Sequence, residues 1–164
     1  MPLNPQVESI LAMFGQAPAP DLATLTAEAL RTTSDIPMTA GPPPPVARVD
    51  ELMIALAGRT LPARLYVPEG AGDAPPLTLF YHGGGWTIGD LDTHDVLCRQ
   101  LCNQSGCSVF AVDYRMGPEH KFPAAVDDCW AATRWVADQA SALKIDASRI
   151  AVGGDSAGGN LAAV

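Results

Sequence analysis

The pentapeptide Gly-Asp-Ser-Ala-Gly at residues 154–158 restricts the fold of this chain more than any other segment. A short run of apolar and small residues, 149–153, precedes it and is typical of a buried strand, and the residues that follow are typical of a helix. Glycines two positions before and after Ser156 permit a sharp turn, because larger side chains would collide where strand and helix meet. The segment therefore predicts a strand, a tight turn that presents Ser156, and a helix.

A serine in this position is a candidate nucleophile. The turn would place the hydroxyl of Ser156 at the carboxyl end of the sheet and aim the backbone N–H of Ala157 at the site where an oxyanion forms. The alternative is a glycine-rich turn with a bystander serine, and the pentapeptide alone does not exclude it.

A second glycine motif favours the catalytic interpretation. The sequence His-Gly-Gly-Gly-Trp at 82–86 follows an apolar strand candidate, 77–81. Three consecutive glycines allow the backbone to turn its amides toward an anion. A phosphate-binding loop would need a Lys or a Ser/Thr at the right offset, or a helix that begins at the glycines, whereas Trp86 follows here. An oxyanion-binding loop is the better interpretation.

Four sequence blocks occur in an order that is typical of one family. They are His-Gly-Gly-Gly-Trp at 82–86, Asp-Tyr-Arg at 113–115, Pro-Glu-His-Lys-Phe-Pro-Ala-Ala at 118–125 and Gly-Asp-Ser-Ala-Gly-Gly at 154–159. On these blocks, residues 46–164 resemble the hormone-sensitive-lipase-like (family IV) esterases, a branch of the α/β-hydrolases. The resemblance implies an α/β-hydrolase fold, with a mostly parallel sheet, helices on both faces and an N-terminal helical cap.

The resemblance also implies roles for individual residues. Ser156 would be the nucleophile, and His82 would orient the glycine loop rather than accept a proton. The backbone donors of the oxyanion hole would be Gly84, Gly85 and Ala157, with Gly83 left open as a further donor. The residues that would shape the substrate pocket are Trp86, Asp155 and Phe14. No metal or organic cofactor is implied.

The base and acid of a catalytic triad have no candidates after Ser156. In α/β-hydrolases both follow the nucleophile in sequence, yet the chain has eight further residues, none of them His, Asp or Glu. Of the upstream histidines, His94 is expected in a solvated or capping role at a helix start, and His120 in a loop. A rearranged triad that uses either one with Asp92 or Asp95 remains an alternative.

We therefore expect this chain to be the N-terminal half of a longer enzyme, truncated after the nucleophile turn. The Asp and His would lie in a C-terminal half, which could be a separate chain, and the 164 residues alone would be inactive. Residues 1–45 would form cap helices and a proline-rich tether, and residues 46–164 the first half of the catalytic domain. A homodimer of the complete enzyme is left open.

Several secondary-structure elements are predicted around the motifs. Asn4 can cap a first helix, and a second short helix is expected within 21–33. Strands at 46–57 and 60–67 should form a hairpin, and a further strand should cover 107–112. Helices are expected from residue 92 or 93 to about 104 and from about 123 to 139. The residues predicted to face the core from the second of these helices are Val126, Cys129, Trp130, Thr133 and Val136.

Composition limits the remaining function classes. The chain is 48% hydrophobic and carries a formal net charge of -8, which suits one globular core and disfavours nucleic acid or an anionic membrane as partner. No basic leader and no span-length apolar run is visible, and the four cysteines fit no common zinc spacing. A cytoplasmic protein with buried thiols is expected.

The predicted function is hydrolysis of carboxylic esters through an acyl-enzyme. The family resemblance implies short-to-medium acyl chains, and the same machinery could serve amides, carbamates or lactones. The alternative is a non-catalytic small-molecule binder on the same fold, since the resemblance extends to plant gibberellin receptors. Retention of both the serine and the glycine loop favours the enzyme.

Overall fold

Five strands form one sheet in the part of the chain that the computed structural model describes, residues 2–15, 24–34 and 42–164. The strands are β1 (Arg48–Leu56), β2 (Arg59–Val67), β3 (Leu77–Tyr81), β4 (Ser108–Val112) and β5 (Ile150–Gly154). Their spatial order is β1-β2-β4-β3-β5. The predicted strand before the serine turn is therefore present, directly beside the strand before the glycine loop.

The pairing directions make this sheet mixed. The β1–β2 hairpin is antiparallel with Leu56 opposite Arg59, as predicted, and Gly58 adopts a φ of 76° in its turn. Strand β2 is also antiparallel to β4, whereas β3 lies parallel to both β4 and β5. The α/β-hydrolase architecture is confirmed, although within this chain the parallel pairings cover only the half of the sheet that carries the motifs.

Six helices accompany the sheet within the described residues. They are α1 (Pro5–Gly15), α2 (Ala27–Ser34), α3 (Asp95–Ser105), α4 (Ala124–Asp138), α5 (Ala140–Leu143) and α6 (Ala157–Ala163). The predicted cap at Asn4 is present, because its Oδ1 accepts the N–H of Gln6 at 2.9 Å. Helix α3 begins later than expected, because the Asp90 carboxylate holds the preceding residues in a turn by accepting the N–H of Thr93. The four-residue helix α5 was not predicted.

The core lies on both faces of β4, as its uninterrupted apolar sequence predicts. Phe110 and Val112 join a cluster with α4 on one face, and Val109 and Ala111 join a cluster with α3 on the other. Every residue of β4 is buried. This central position makes β4 a rigid platform beside β3, whose end carries the glycine loop.

One predicted core residue is misassigned. Trp130 is 65% exposed, although Cys129 beside it is 3% exposed. Helix α4 packs on the sheet through the face that carries Cys129, Ala132 and Val136, and a residue one position further along is turned by about 100°. The apolar spacing identified the helix correctly but placed its buried face too broadly.

All four cysteines are free, and three of them are buried. Within the described ranges, no helix combines the length and apolar character needed to cross a bilayer.

A buried carboxylate ties three parts of the fold together. Asp128 of α4 is fully buried, and its two oxygens accept hydrogen bonds from Arg59 at 2.6 Å and from Arg115 at 2.8 Å. Arg59 is the first residue of β2, and Arg115 lies in the loop after β4. Although burial opposes ionisation, hydrogen bonds and charge from Arg115, with a further bond from Arg59, lower the pKa of Asp128.

Replacement of Asp128 by Asn should destabilise the chain by about 3 kcal/mol, because it leaves two guanidiniums without their shared carboxylate. The lower end of the usual range is expected since both arginines are partly exposed and can be hydrated. Urea unfolding at neutral pH measures the effect. The matched control is Asp127→Asn on the exposed side of the same helix, which should stay within about 0.5 kcal/mol of wild type. Equal unfolding midpoints for the two variants would contradict the prediction.

Candidate active site

The serine turn has the strained geometry that its sequence predicts. Strand β5 ends at Gly154, helix α6 begins at Ala157, and Ser156 between them has φ 48° and ψ −115°. A non-glycine residue with positive φ costs free energy and persists only where its surroundings enforce it. The Ser156 residue is exposed, whereas Ala157 and Gly158 after it are buried. The turn therefore presents one hydroxyl to a ligand from a tightly packed base.

The packing that enforces this turn comes from the strand before the glycine loop. A Cβ atom on Gly158 would lie 1.9 Å from the carbonyl oxygen of Tyr81 and 2.6 Å from that of His82. Glycine is therefore required for α6 to approach β3. Because β3 and β5 are parallel neighbours with Tyr81 opposite Gly154, both motifs emerge at the same edge of the sheet.

The glycine loop turns back on itself immediately after β3. Gly84, Gly85 and Trp86 all have positive φ, at 116°, 61° and 56°. The Gly84 carbonyl accepts the N–H groups of Thr87 at 3.1 Å and Ile88 at 3.0 Å, and a Cβ on Gly84 would lie 1.9 Å from the Ile88 oxygen. The Gly84 carbonyl is therefore engaged within the turn, whereas the N–H groups of Gly84 and Gly85 remain available to another acceptor.

The three amides expected to form the oxyanion hole lack an internal acceptor. Among the hydrogen bonds of the described residues, none uses the N–H of Gly84, Gly85 or Ala157. The N–H of Gly83 differs, since it donates to Asp155 Oδ1 at 2.8 Å. Gly83 is therefore not available as the further oxyanion donor that the sequence left open.

Asp155 acts as a brace between the two motifs. Its carboxylate lies against the Gly83 backbone so closely that a Cβ on Gly83 would approach Oδ2 to 2.1 Å. The same Oδ1 that accepts the Gly83 N–H lies 3.4 Å from His94 Nε2. The sequence assigned Asp155 to the substrate pocket, whereas these contacts direct its carboxylate to the loop.

His82 is buried behind the loop that it begins. Only 2% of the residue is exposed, its Nδ1 lies 2.7 Å from the Gly83 carbonyl, and its ring stacks on Tyr114 with centroids 4.4 Å apart. The Tyr114 hydroxyl donates to the His82 carbonyl at 2.6 Å. Burial lowers the pKa of His82, so the imidazole is neutral at pH 7 and its Nδ1–H can donate to Gly83. This position suits orientation of the loop.

His94 is the N-cap residue of α3, one of the two roles expected for it, but it is buried rather than solvated and its side chain makes no cap hydrogen bond. The residue is 4% exposed, and its Nδ1 lies 3.0 Å from Thr93 Oγ1. Its ring centroid is 5.5 Å from that of His82, which places both imidazoles under the glycine loop. The turn at 90–93 brings His94 inward, a detail that helical periodicity does not encode. His120 is exposed.

No imidazole of the described chain is hydrogen-bonded to the Ser156 hydroxyl, although all three histidines lie in described segments. The alternative triads built on Asp92 or Asp95 gain no support either, because both carboxylates pair with arginines: Arg64 contacts both, and Arg99 contacts Asp95.

Asp113 is a carboxylate held in an unfavourable environment beside this site. Its Oδ1 lies 3.9 Å from His82 Nε2, a buried nitrogen without a hydrogen-bond partner in the described structure. Because His82 is neutral, this contact is not an ion pair. Burial and the nearby charges of Asp90 and Asp92 raise the pKa of Asp113 to about 6.

An apolar groove opens beside the glycine loop. Its volume is about 490 Å³, and its lining includes Trp86, Phe122, Val126, Leu161 and Val164. Trp86 is 44% exposed and lines this groove, and its assignment to the substrate pocket stays a prediction. Phe14 lies in α1, and its side chain is outside the described part of the structure.

The sequence matches a family with the alpha/beta hydrolase fold over residues 78–164. The chain is 52% identical over 128 residues to the carboxylic ester hydrolase LipN of Mycobacterium tuberculosis, and the match covers 74% of this chain and 33% of LipN. It is 38% identical over 164 residues to an arylesterase of Saccharolobus solfataricus, a match that covers 99% of this chain and 53% of the arylesterase.

Known structures agree in shape as well as in sequence. An ester hydrolase from the metagenome of Lake Arreo superposes with a TM-score of 0.86 at 40% identity, covering 99% of this chain and 53% of that one. An esterase of Pyrobaculum calidifontis gives a TM-score of 0.85 at 40% identity, with 99% and 52% covered.

The fold, the serine turn and the glycine loop together define an α/β-hydrolase. Sequence and structure relatives are consistent with this class, and the chain belongs to the α/β-hydrolase family, in its hormone-sensitive-lipase-like branch. The chain spans about half the length of the arylesterase and about a third of the length of LipN.

Three residues that support the site were not identified from the sequence. Tyr114 lies in one of the four family blocks, but nothing in its spacing indicates the hydrogen bond to the glycine loop. His94 and Arg31 lie in no motif and become visible only in three dimensions. Arg31 donates to the carbonyl of Thr87 within the loop segment itself.

Replacement of Asp155 by Ala should release the glycine loop, whereas Asp155→Asn should preserve it. Alanine removes the acceptor of the Gly83 N–H, and asparagine retains a carbonyl oxygen at the same position. Loss of one hydrogen bond to a charged group corresponds to about tenfold faster amide exchange at Gly83. Exchange measured by NMR, with the Thr78 amide of β3 as internal reference, tests this. Unchanged exchange at Gly83 in the alanine variant would refute the brace.

Asp113 predicts a pH-dependent stability difference. Its folded pKa of about 6 exceeds the unfolded value of about 3.9, so the folded chain binds more protons between these values and its stability falls as pH rises through them. Asp113→Asn cannot titrate and should be more stable than wild type at pH 7, with the difference vanishing near pH 4. Unfolding free energies across this range measure it.

The control for this series is Asp73→Asn in the exposed loop before β3. It should retain the wild-type profile between pH 4 and pH 7. A constant difference between Asp113→Asn and wild type over the whole range would show that Asp113 does not titrate as expected.

Proposed function

We propose that this chain supplies the nucleophile and the oxyanion hole of a carboxylic-ester hydrolase. The observation that carries the proposal is the direct packing of the serine turn on the first residues of the glycine loop. Ser156 is exposed at that contact, and three unengaged amides lie in the two segments that meet there. Relatives named carboxylic ester hydrolase, arylesterase and esterase support the same chemistry.

The reaction begins with attack of Ser156 Oγ on the ester carbonyl carbon, while its proton passes to a general base. The carbonyl oxygen gains negative charge, which the N–H groups of Gly84, Gly85 and Ala157 stabilise. Loss of one such donor typically lowers turnover by about a hundredfold to a thousandfold. Collapse of the tetrahedral intermediate expels the alcohol and leaves an acyl-enzyme, which water then hydrolyses to the acid and free Ser156.

The general base and its orienting acid come from residues outside these 164. Two observations support this: no described histidine is hydrogen-bonded to Ser156, and the curated relatives are two to three times as long as the segment they share with this chain. The missing groups would lie in a C-terminal half of the same enzyme, present in the same chain or as a separate one. The 164-residue chain alone would then be inactive.

The acyl or alcohol part of the substrate would occupy the apolar groove beside Trp86. A volume of about 490 Å³ suits a small molecule. The family resemblance implies short-to-medium acyl chains rather than long triglycerides. Four free cysteines suit a reducing compartment, which supports a cytoplasmic location.

Ser156→Ala in the complete enzyme should abolish the burst of alcohol release from a chromogenic short-chain ester and lower turnover at least about a thousandfold. The matched control is Ser141→Ala, which removes an exposed hydroxyl from α5 and should leave the burst unchanged. Covalent labelling by a fluorophosphonate should also disappear only in the first variant. Ester hydrolysis that survives Ser156→Ala would exclude Ser156 as the nucleophile, and ligand binding without any turnover by wild type would favour the non-catalytic binder.

A further inference from the structure

One arginine of the N-terminal helices reaches the back of the glycine loop. Arg31 of α2 donates its Nε–H to the Thr87 carbonyl at 2.8 Å and an Nη2–H to the Gly117 carbonyl at 2.8 Å. Its two terminal nitrogens also bind the two oxygens of Glu119, each at 2.8 Å. A single guanidinium thus joins α2 to two separate loops, 56 and 86 residues away in sequence.

The two carbonyls that Arg31 binds belong to one continuous set of hydrogen bonds. The Gly117 N–H donates to the Trp86 carbonyl at 2.8 Å, and the N–H of Thr87 donates to Gly84 at 3.1 Å. The guanidinium therefore binds the carbonyl of the residue that directly follows Gly84, Gly85 and Trp86, three consecutive residues with positive φ. At Trp86, which is not glycine, such a conformation persists only while its surroundings hold it.

The planar fork of arginine is what this arrangement requires. Its donors have a fixed geometry and can bind the Glu119 carboxylate with two nitrogens while other N–H groups bind carbonyls. The ion pair itself is exposed and contributes little on its own, because Glu119 is 53% exposed. The partly buried bonds to the Thr87 and Gly117 carbonyls are the ones that constrain the loop.

We propose that Arg31 is a positioning residue for the oxyanion hole, which it serves by clamping the N-terminal helix α2 onto the outer side of the glycine loop. The expected effect on kcat rests on the proposed esterase function, whereas the expected effect on the structure of the glycine loop does not. Through this clamp, the N-terminal helices set the orientation of the Gly84 and Gly85 amides without contacting the substrate. Glu119 holds the Arg31 guanidinium in place and contributes less to the positioning of the loop than Arg31 does.

Hydrogen–deuterium exchange of the 164-residue chain tests the clamp without any need for activity. Arg31→Met retains an unbranched apolar chain but removes every donor, and exchange in peptides covering 84–89 and 115–121 should become about tenfold faster. Peptides from β4 should be unchanged. The matched control is Arg48→Met, which removes another partly exposed arginine with an aspartate partner, Asp50, and should leave both segments at wild-type rates.

Two further variants separate the carbonyl bonds from the ion pair. Glu119→Gln removes the charge and leaves the Thr87 and Gly117 bonds, so it should give a smaller acceleration than Arg31→Met. Arg31→Lys keeps the charge but has three donors on one nitrogen for the four oxygens that the guanidinium binds, and it should give an intermediate result. If Arg31→Met fails to fold, Arg31→Lys decides the question, since wild-type exchange at 84–89 in that variant overturns the clamp.

Kinetics of the complete enzyme supply the second measurement. With a short-chain chromogenic ester, Arg31→Met should lower kcat about tenfold or more with little change in KM, because the amides it positions act on the transition state. Faster exchange at 84–89 in Arg31→Met, together with no ester hydrolysis by the complete wild-type enzyme, would support the clamp and refute the proposed function. Normal exchange and normal kcat in an active Arg31→Met enzyme would overturn the clamp and leave the proposed function intact.

Discussion

The close approach of the α6 backbone to the end of β3 is the contact on which the candidate site depends. Gly158 leaves no room for a side chain against the carbonyl oxygens of Tyr81 and His82. Because β3 and β5 are parallel neighbours, the serine turn and the glycine loop lie at the same edge of the sheet. The close packing of Gly158 on Tyr81 and His82 then brings the serine turn into contact with the start of the glycine loop. The unusual dihedral angles of Ser156 and the exposure of its hydroxyl follow from this one packing requirement.

The two side chains that contact Gly83, His82 and Asp155, carry no positive charge, and the guanidinium of Arg31 binds the loop further along, at Thr87. The buried imidazole of His82 is neutral, and the nearby carboxylate of Asp155 is occupied by the Gly83 amide. An anion that forms beside Ser156 would therefore be stabilised by oriented backbone dipoles rather than by a fixed cation. Such dipoles need no rearrangement during the reaction, provided that the loop is held in place.

The elements that could be predicted from the sequence are those whose signal is local. Short strands that are buried on both faces leave a mostly apolar run in the sequence. The bounds of β3 match the run predicted at 77–81, and β4 begins one residue later than predicted. The serine turn was equally accessible, because its glycines and the adjoining strand and helix signals lie within one short segment, although the carbonyls that exclude a side chain at Gly158 belong to Tyr81 and His82. The fold class was predicted from the order of these strand and turn motifs, and the antiparallel pairing of β1 and β2 is compatible with it.

Features that depend on distant partners could not be predicted. His94 has the sequence context of a solvated helix start, yet the turn formed around Asp90 buries it below the loop. Trp130 fits the apolar spacing of α4 but lies outside the face that packs on the sheet. Asp155 was assigned to the substrate pocket, and nothing local indicates that its carboxylate accepts the N–H of Gly83, 72 residues earlier in the chain. In each case a tertiary contact outweighs the local pattern.

The positive φ of Ser156 has a consequence for how this chain can change by mutation. Glycine adopts such a backbone conformation without steric cost, so it would relieve the turn at the one position where a hydroxyl is needed. At residue 156, folding stability therefore favours glycine, whereas the reaction requires serine. A library screened for thermal resistance alone would tend to enrich glycine there and select a more robust protein that has lost its reactive group.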